Sequence, residues 1–259
     1  MQYENIIYSV QDKIATIQIN RPKTYNALTY ELHDELLSAF DEIEADKNIR
    51  VLVMTGNDKA FAAGADIGDM IVASPYIARR GSKRPVGVND RIEGLDIPVI
   101  AAVNGLAWGG GFEIVLTCDF RVGGSKTSFK LPEASLGIMP GAGGSQRLLA
   151  LVGPAKTKEM VMLGTTVKGE EAFKLGLLTR LVDDSEVLDE AYRLAGELIK
   201  VPGMSLAAAK RAINTGTYET LSTGLEIERM EFWMLFDTND QKEGMAAFAE
   251  KRLPNYTNS

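Results

Sequence analysis

A chain of 259 residues with 45% hydrophobic and 24% charged residues can bury a core without staples, and its balance is that of a soluble globular protein. A formal net charge of −7 argues against nucleic acid or an anionic membrane as the main partner, and no apolar stretch approaches the roughly 20 residues of a membrane span. The single cysteine, Cys118, excludes an intramolecular disulfide, and the start MQYENIIYSV lacks a signal pattern, so the expected location is the cytoplasm.

The chain opens with two alternating runs, ENIIYSV and IATIQIN, around the turn QDK, which predicts a β-hairpin. LTYELHDELLSAFDEIEADK follows with Leu32, Leu36, Leu37, Phe40 and Ile43 at helical spacing and Thr29 as a candidate N-cap. The lone histidine, His33, is expected on the solvated side of that helix. VLVMTG is a short buried strand, and FAAGADIGDM a small-residue loop leading into a helix. The polar stretch 73–91 is expected to be irregular and mobile, and its basic run ARRGSKR leaves room for a small phosphorylated ligand. PVIAAV is the next strand; NGLAWGGGFE leads from it into the helix FEIVLTC, where Cys118 is expected as a buried packing thiol. DFRVGG and SFKLPE are further short strands.

From Gly144 the pattern turns helical: GGSQRLLALVG, AKTKEMVMLG and KGEEAFKLGL, each with a glycine stop. After the strand-like LTRLV come SEVLDEAYRLAGELIK, SLAAAKRAINTG, a long helix through LEIERMEFWMLF, and DQKEGMAAFAEKR. Strand signals stop near Val201-Pro202-Gly203. The expected organisation is therefore an α/β core over residues 1–200 and a helical module over 201–259.

Two constellations stand out chemically. AFAAGAD and AWGGGFE each place bare main chain at the carboxyl end of a strand, where α/β folds bind ligands and where N–H groups can cradle an oxyanion. Glu113 and Glu133 sit in apolar settings, which raise a carboxyl's pKa unless it finds a partner. Together they suit proton exchange with a substrate through a shared water. Plainer readings stand beside these: a tight turn for the glycines, a helix N-terminus for Glu113, and an arginine such as Arg147 as a partner for Glu133. One histidine and no GxSxG elbow disfavour a serine triad. GAGGSQRL lacks both the third glycine and the preceding strand of a dinucleotide fingerprint. No metal site is expected, because one histidine and one cysteine cannot build one and no acidic cluster has calcium-loop spacing.

Taken together, NRPKTYNAL (20–28), AFAAGADIGDM (60–70), PVIAAVNGLAWGGGFEIVLTCDFRV (98–122), FKLPEASLGIMPGAGGSQRL (129–148) and KEGMAAFAEKR (242–252) resemble the crotonase family, and within it the enoyl-CoA hydratases. The likeness runs in order across nearly the whole chain. It implies an α/β fold of ββα units wound into a spiral core, followed by a helical trimerisation module. The oligomer it implies is a homotrimer or a dimer of trimers.

The resemblance also implies the reaction: reversible addition of water to a trans-2-enoyl-CoA, of short chain, giving a 3-hydroxyacyl-CoA in fatty-acid metabolism. It needs no permanent cofactor, coenzyme A being part of the substrate. The matching motifs assign the oxyanion hole to the N–H groups of Ala63 and Gly110 and the acid–base work to Glu113 and Glu133. Coenzyme A is assigned Lys23, the segment Gly64, Ala65, Asp66 and Ile67, and Phe248 and Lys251 of a neighbouring subunit. Solvated surface charge is the plainer reading of both lysines. The rival activities are an enoyl-CoA isomerase, a hydratase of a dienoyl or branched acyl group, and a non-catalytic acyl-CoA-binding or scaffold subunit. Two departures from the family pattern bear on the pocket. Trp108 either narrows the acyl site or packs beneath the loop, and Lys130 points either toward Glu133 or outward. Segment 73–91 is the candidate lid over the acyl tail.

Overall fold

The computed structural model describes residues 3–74 and 87–259. The hairpin forms as its alternation predicts, β1 (Ile6–Gln11) pairing antiparallel with β2 (Ile14–Ile19). Thr29 caps α1 (Tyr30–Ala45), its side chain accepting the Leu32 N–H at 3.3 Å. The apolar stripe of that helix is buried along its length, from Leu32 to Ile43.

After the hairpin the chain winds as a spiral. β3 (Val51–Thr55), β5 (Val99–Val103), β7 (Phe120–Gly123) and β10 (Arg180–Leu181) join the hairpin in a six-stranded sheet ordered β1-β2-β3-β5-β7-β10. The strands lying between them in sequence, β4 (Ala60–Ala62), β6 (Leu106–Trp108), β8 (Ser128–Lys130) and β9 (Val167–Lys168), form a second sheet in the order β4-β6-β8-β9. Each of three successive turns thus lays one strand in each sheet: β3 then β4, β5 then β6, β7 then β8. Pairing from β2 to β10 is parallel, which accounts for runs such as VLVMT being buried throughout. Alternate residues serve two cores. Val51, Val53, Ile100, Ala102 and Val122 pack beneath the helix Val187–Ile199, while Leu52, Met54, Ala101 and Val103 join α1 in the larger core.

The glycine stops act where the sequence puts them. The first two of the three helices expected from Gly144 run as Gly144–Met162 with a break at Gly153, whose φ of 74° interrupts the helix just before Pro154, and the third forms as Gly169–Lys174. From Gly203 onward the chain forms the helices Gly203–Tyr218, Leu221–Met234 and Asn239–Glu250. The first is tied to the core by Lys210, whose Nζ lies 2.9 Å from Asp119 and donates to the Ile92 and Ile97 carbonyls. Cys118 is buried as expected, and burial pushes its thiol up to about 12.

Segment 73–91 needs correction at its end. Val88–Gly94 is a helix rather than an irregular stretch, with Val88 and Ile92 buried. Residues 75–86, and with them the basic run and most of the candidate lid, lie outside the described residues.

Candidate active site

The bare-backbone loops converge on one cleft of about 1400 Å³. Its lining includes Ala63, Gly64, Ala65, Asp66 and Ile67 from the loop after β4, Gly109, Gly110 and Glu113 from the loop and helix after β6, and Glu133 after β8. Asn26, fully buried, holds the first loop in place by donating to the Ala60 and Phe61 carbonyls at 3.0 and 3.1 Å. Leu28 clamps it further: its N–H donates to Gly64 and its carbonyl accepts from Asp66. The NRPKTYNAL segment is therefore scaffolding for the loop.

The three glycines have separate reasons. Gly109 adopts φ 51°, ψ −129°, and a Cβ there would stand 3.0 Å from Glu133 Oε1. Gly111 packs on the Ala62 main chain so closely that no side chain fits. Gly110 opens the helix Gly110–Thr117, so its N–H has no intrahelical partner and the positive end of the helix dipole lies at the cleft.

The donor pair differs from the one expected. The Ala63 N–H donates to the Tyr25 carbonyl at 3.0 Å, so it is spent within the protein. The N–H of Ala65 meets no acceptor among the described residues, and its nitrogen lies 3.7 Å from where a Cβ on Gly110 would be. The two uncommitted N–H groups that face each other across the loops are those of Ala65 and Gly110. A motif match cannot resolve this, because it fixes the loop but not which of its amides the neighbouring chain consumes.

Both glutamates are buried at the cleft. Glu113 Oε1 accepts the N–H groups of Ala142 and Gly144, each at 2.8 Å. Burial raises its pKa, opposed by those two hydrogen bonds and by the Arg147 cation. Burial also pushes Glu133 up to about 6, with the charge of Glu113 adding to the rise. Glu133 Oε2 is buried with no hydrogen-bond partner among the described residues. Arg147 is not its partner: that guanidinium pairs with Glu93 at 2.6 Å.

The other residues singled out from the sequence take the following places. His33 is half-buried and lines the cleft instead of facing solvent. Lys130 points outward, its Nζ 5.1 Å from the ring centroid of Trp108, whose indole N–H donates to Ser128. Neither belongs to the cleft lining. Phe129, on the other face of β8, is buried and stacks on Phe112 at 4.5 Å between ring centroids. Lys23 and Lys251 are exposed, as is Phe248 at 87%, and none of the three lines the cleft of this subunit. Among the described residues no three metal-ligating side chains are grouped, and no helix is long and apolar enough to cross a membrane. The sequence does not reveal the contacts of the loop Ala142–Gly144 with Glu113, nor the pairing of Arg147 with Glu93 beside Asn89. GAGG, part of the family motif and of the failed nucleotide fingerprint, is their local signal.

Comparison with known proteins gives the family and the fold. The family model described as enoyl-CoA hydratase/isomerase matches residues 9–259. The chain is 41% identical over 257 residues to a crotonyl-CoA hydratase of Syntrophomonas wolfei, covering 99% of each. It is 39% identical over 253 residues to a short-chain-enoyl-CoA hydratase of Clostridium acetobutylicum, covering 97% of each. The crystal structure of enoyl-CoA hydratase subunit I from Geobacillus kaustophilus superposes with a TM-score of 0.93 at 38% identity, covering all of both chains.

Proposed function

The chain belongs to the enoyl-CoA hydratase/isomerase family, and from that premise we propose that it is a hydro-lyase adding water reversibly to a short trans-2-enoyl-CoA. The observation that carries this reading is the pair of buried carboxyls, Glu113 and Glu133, on a cleft that also presents the Ala65 and Gly110 N–H groups. Two acids suit an addition in which one proton leaves water and another reaches carbon. The names of the relatives, crotonyl-CoA and short-chain-enoyl-CoA hydratase, support a short acyl chain.

The thioester oxygen accepts from Ala65 and Gly110, and the helix dipole behind Gly110 stabilises the enolate as C2 gains charge. Glu113, with one oxygen tied by Ala142 and Gly144, uses the other to take a proton from water, whose oxygen attacks C3. Glu133, kept partly protonated by its raised pKa, delivers a proton to C2. One carboxyl ends protonated and the other ionised, and a proton passing between them restores the starting state. The two titrate as a coupled pair.

Coenzyme A enters as part of the substrate. The segment Gly64, Ala65, Asp66 and Ile67 lies along its adenine and pantetheine, and Lys23 supplies a cation toward it. Phe248 and Lys251 reach the cleft of a second copy. The exposed apolar side chains of the last helices, Met230, Phe232, Trp233, Met234 and Phe248, support assembly as a trimer or a dimer of trimers. The buried lone cysteine suits a cytoplasmic enzyme. The test is conversion of crotonyl-CoA to 3-hydroxybutyryl-CoA; a protein that binds the thioester without hydrating it overturns the reading.

A further inference from the structure

The geometry points to Arg147 as a positioning residue for the hydration step: braced by Glu93, it holds the loop whose N–H groups aim Glu113 into the cleft. The inference rests on Glu113 being the group that deprotonates water. Arg147 Nη1 donates to the Ala142 carbonyl at 2.9 Å, and Asn89 Nδ2 donates to the same oxygen at 2.9 Å. On its other side the guanidinium grips Glu93 with two contacts, Nη2 to Oε2 at 2.6 Å and Nε to Oε1 at 3.4 Å. Asn89 and Glu93 both belong to the short helix Val88–Gly94, so one element braces the loop twice. The Glu93 carbonyl in turn accepts from Asn214 of the helix Gly203–Tyr218.

The loop lies against the guanidinium, since a Cβ on Gly143 (φ 96°) would overlap it. The side chains of Arg147 and Glu93 are only 12% and 28% exposed, so the pair is better shielded than an ordinary surface bridge. A planar fork bonding a carboxylate on one side and a carbonyl on the other fixes a distance and an angle, which a point charge does not. The Ala142 carbonyl lies in the peptide between the two donors of Glu113 Oε1, so loss of its anchor would let the loop, and with it the aim of Glu113, shift.

A pair that merely stapled helix Val88–Gly94 to its surroundings would affect stability alone. The charges distinguish the two roles. Glu113 is buried beside the Arg147 cation, which favours its ionised form, and its charge in turn raises the pKa of Glu133. Behind Arg147 stand Glu93, Asp90 and Tyr218.

The test uses the full-length enzyme with Arg147→Met, Arg147→Lys, Glu93→Gln and, as a separate arm, Glu113→Gln, each followed as kcat, KM and the pH profile of kcat/KM with crotonyl-CoA. Arg147→Met should lower kcat roughly 10- to 100-fold with little change in KM, the scale expected when a reacting group is misplaced by up to about 1 Å. Its acidic limb should move to higher pH, because Glu113 loses a cation that favours ionisation. Glu93→Gln should move that limb the other way, the guanidinium charge being less balanced. Arg147→Lys should keep the limb near the parent's while recovering only part of the rate. A lower melting temperature with unchanged kcat and unmoved limb in Arg147→Met overturns the inference. If Arg147→Met does not fold, Glu93→Gln decides, an unmoved limb again overturning it. Undiminished hydration by Glu113→Gln instead overturns the reading of Glu113 as base.

Discussion

The Gly144 N–H donates to Glu113 Oε1 at 2.8 Å across 31 positions of sequence, so the carboxyl is held by the first turn of a helix that packs against its own. One oxygen is thereby tied, and in the proposed mechanism the other acts on water. A Cβ on Gly144 would stand 2.9 Å from both Glu113 Cγ and Oε1, closer than a side-chain carbon can sit. Gly144→Ala should therefore displace the carboxyl and lower kcat by roughly 10- to 100-fold, with crotonyl-CoA KM nearly unchanged. Steady-state kinetics check this, and a parent-like kcat would show that the contact does not set the geometry.

The proposed donor pair is Ala65 and Gly110, because the Ala63 N–H is committed to the Tyr25 carbonyl and that of Ala65 meets no acceptor among the described residues. Ala65→Pro removes the N–H and should reduce kcat by about 10²- to 10³-fold, the usual cost of one oxyanion donor. Ala63→Pro removes a bond to Tyr25 instead and should lower the melting temperature. Turnover and thermal melts on the two variants separate the assignments; the reverse pattern would return the role to Ala63.

Glu133 makes stability depend on pH. Its folded-state value lies near 6 against an ordinary 4.5, so the folded chain holds that proton more tightly than the unfolded chain does. The stabilisation is full below 4.5 and is lost as pH rises through about 6. Glu133→Gln does not ionise. Its melting temperature relative to the parent should therefore be higher at pH 7 than at pH 4.5. A difference independent of pH would contradict the raised value.

Lys251 ends the last helix in a left-handed conformation at φ 55°, exposed and outside the lining of its own cleft. Lys251→Glu should raise KM for crotonyl-CoA and weaken free coenzyme A binding while leaving kcat nearly unchanged. Titration calorimetry reads the binding, and unaltered affinity would remove Lys251 from the contact with coenzyme A.

Much of this was legible from the chain because the relevant signals are local. The stripe Leu32–Ile43 and the Thr29 cap specify α1 by spacing alone, and runs buried on both faces mark the parallel strands. Glu113 and Glu133 showed themselves as carboxylates in apolar surroundings. What could not be read depended on long-range pairing. Whether the Ala63 amide is free is decided by Tyr25, and only the folded chain shows that His33 lines the cleft. The brace on Glu113 joins residues 89, 93, 142 and 147, whose only local trace is the glycine spacing of GAGG. The alternation of faces sets Lys130 opposite Leu131 but does not say which face is the core; the structure buries Leu131.

The most direct measurement follows the ultraviolet absorbance of the conjugated thioester of crotonyl-CoA with the parent enzyme, Glu113→Gln and Glu133→Gln, identifying the product. Two carboxyls sharing one addition predict rapid loss with 3-hydroxybutyryl-CoA formed by the parent, and a fall of about 10²- to 10⁴-fold in each variant. Near-parental hydration by either variant would contradict the two-acid account.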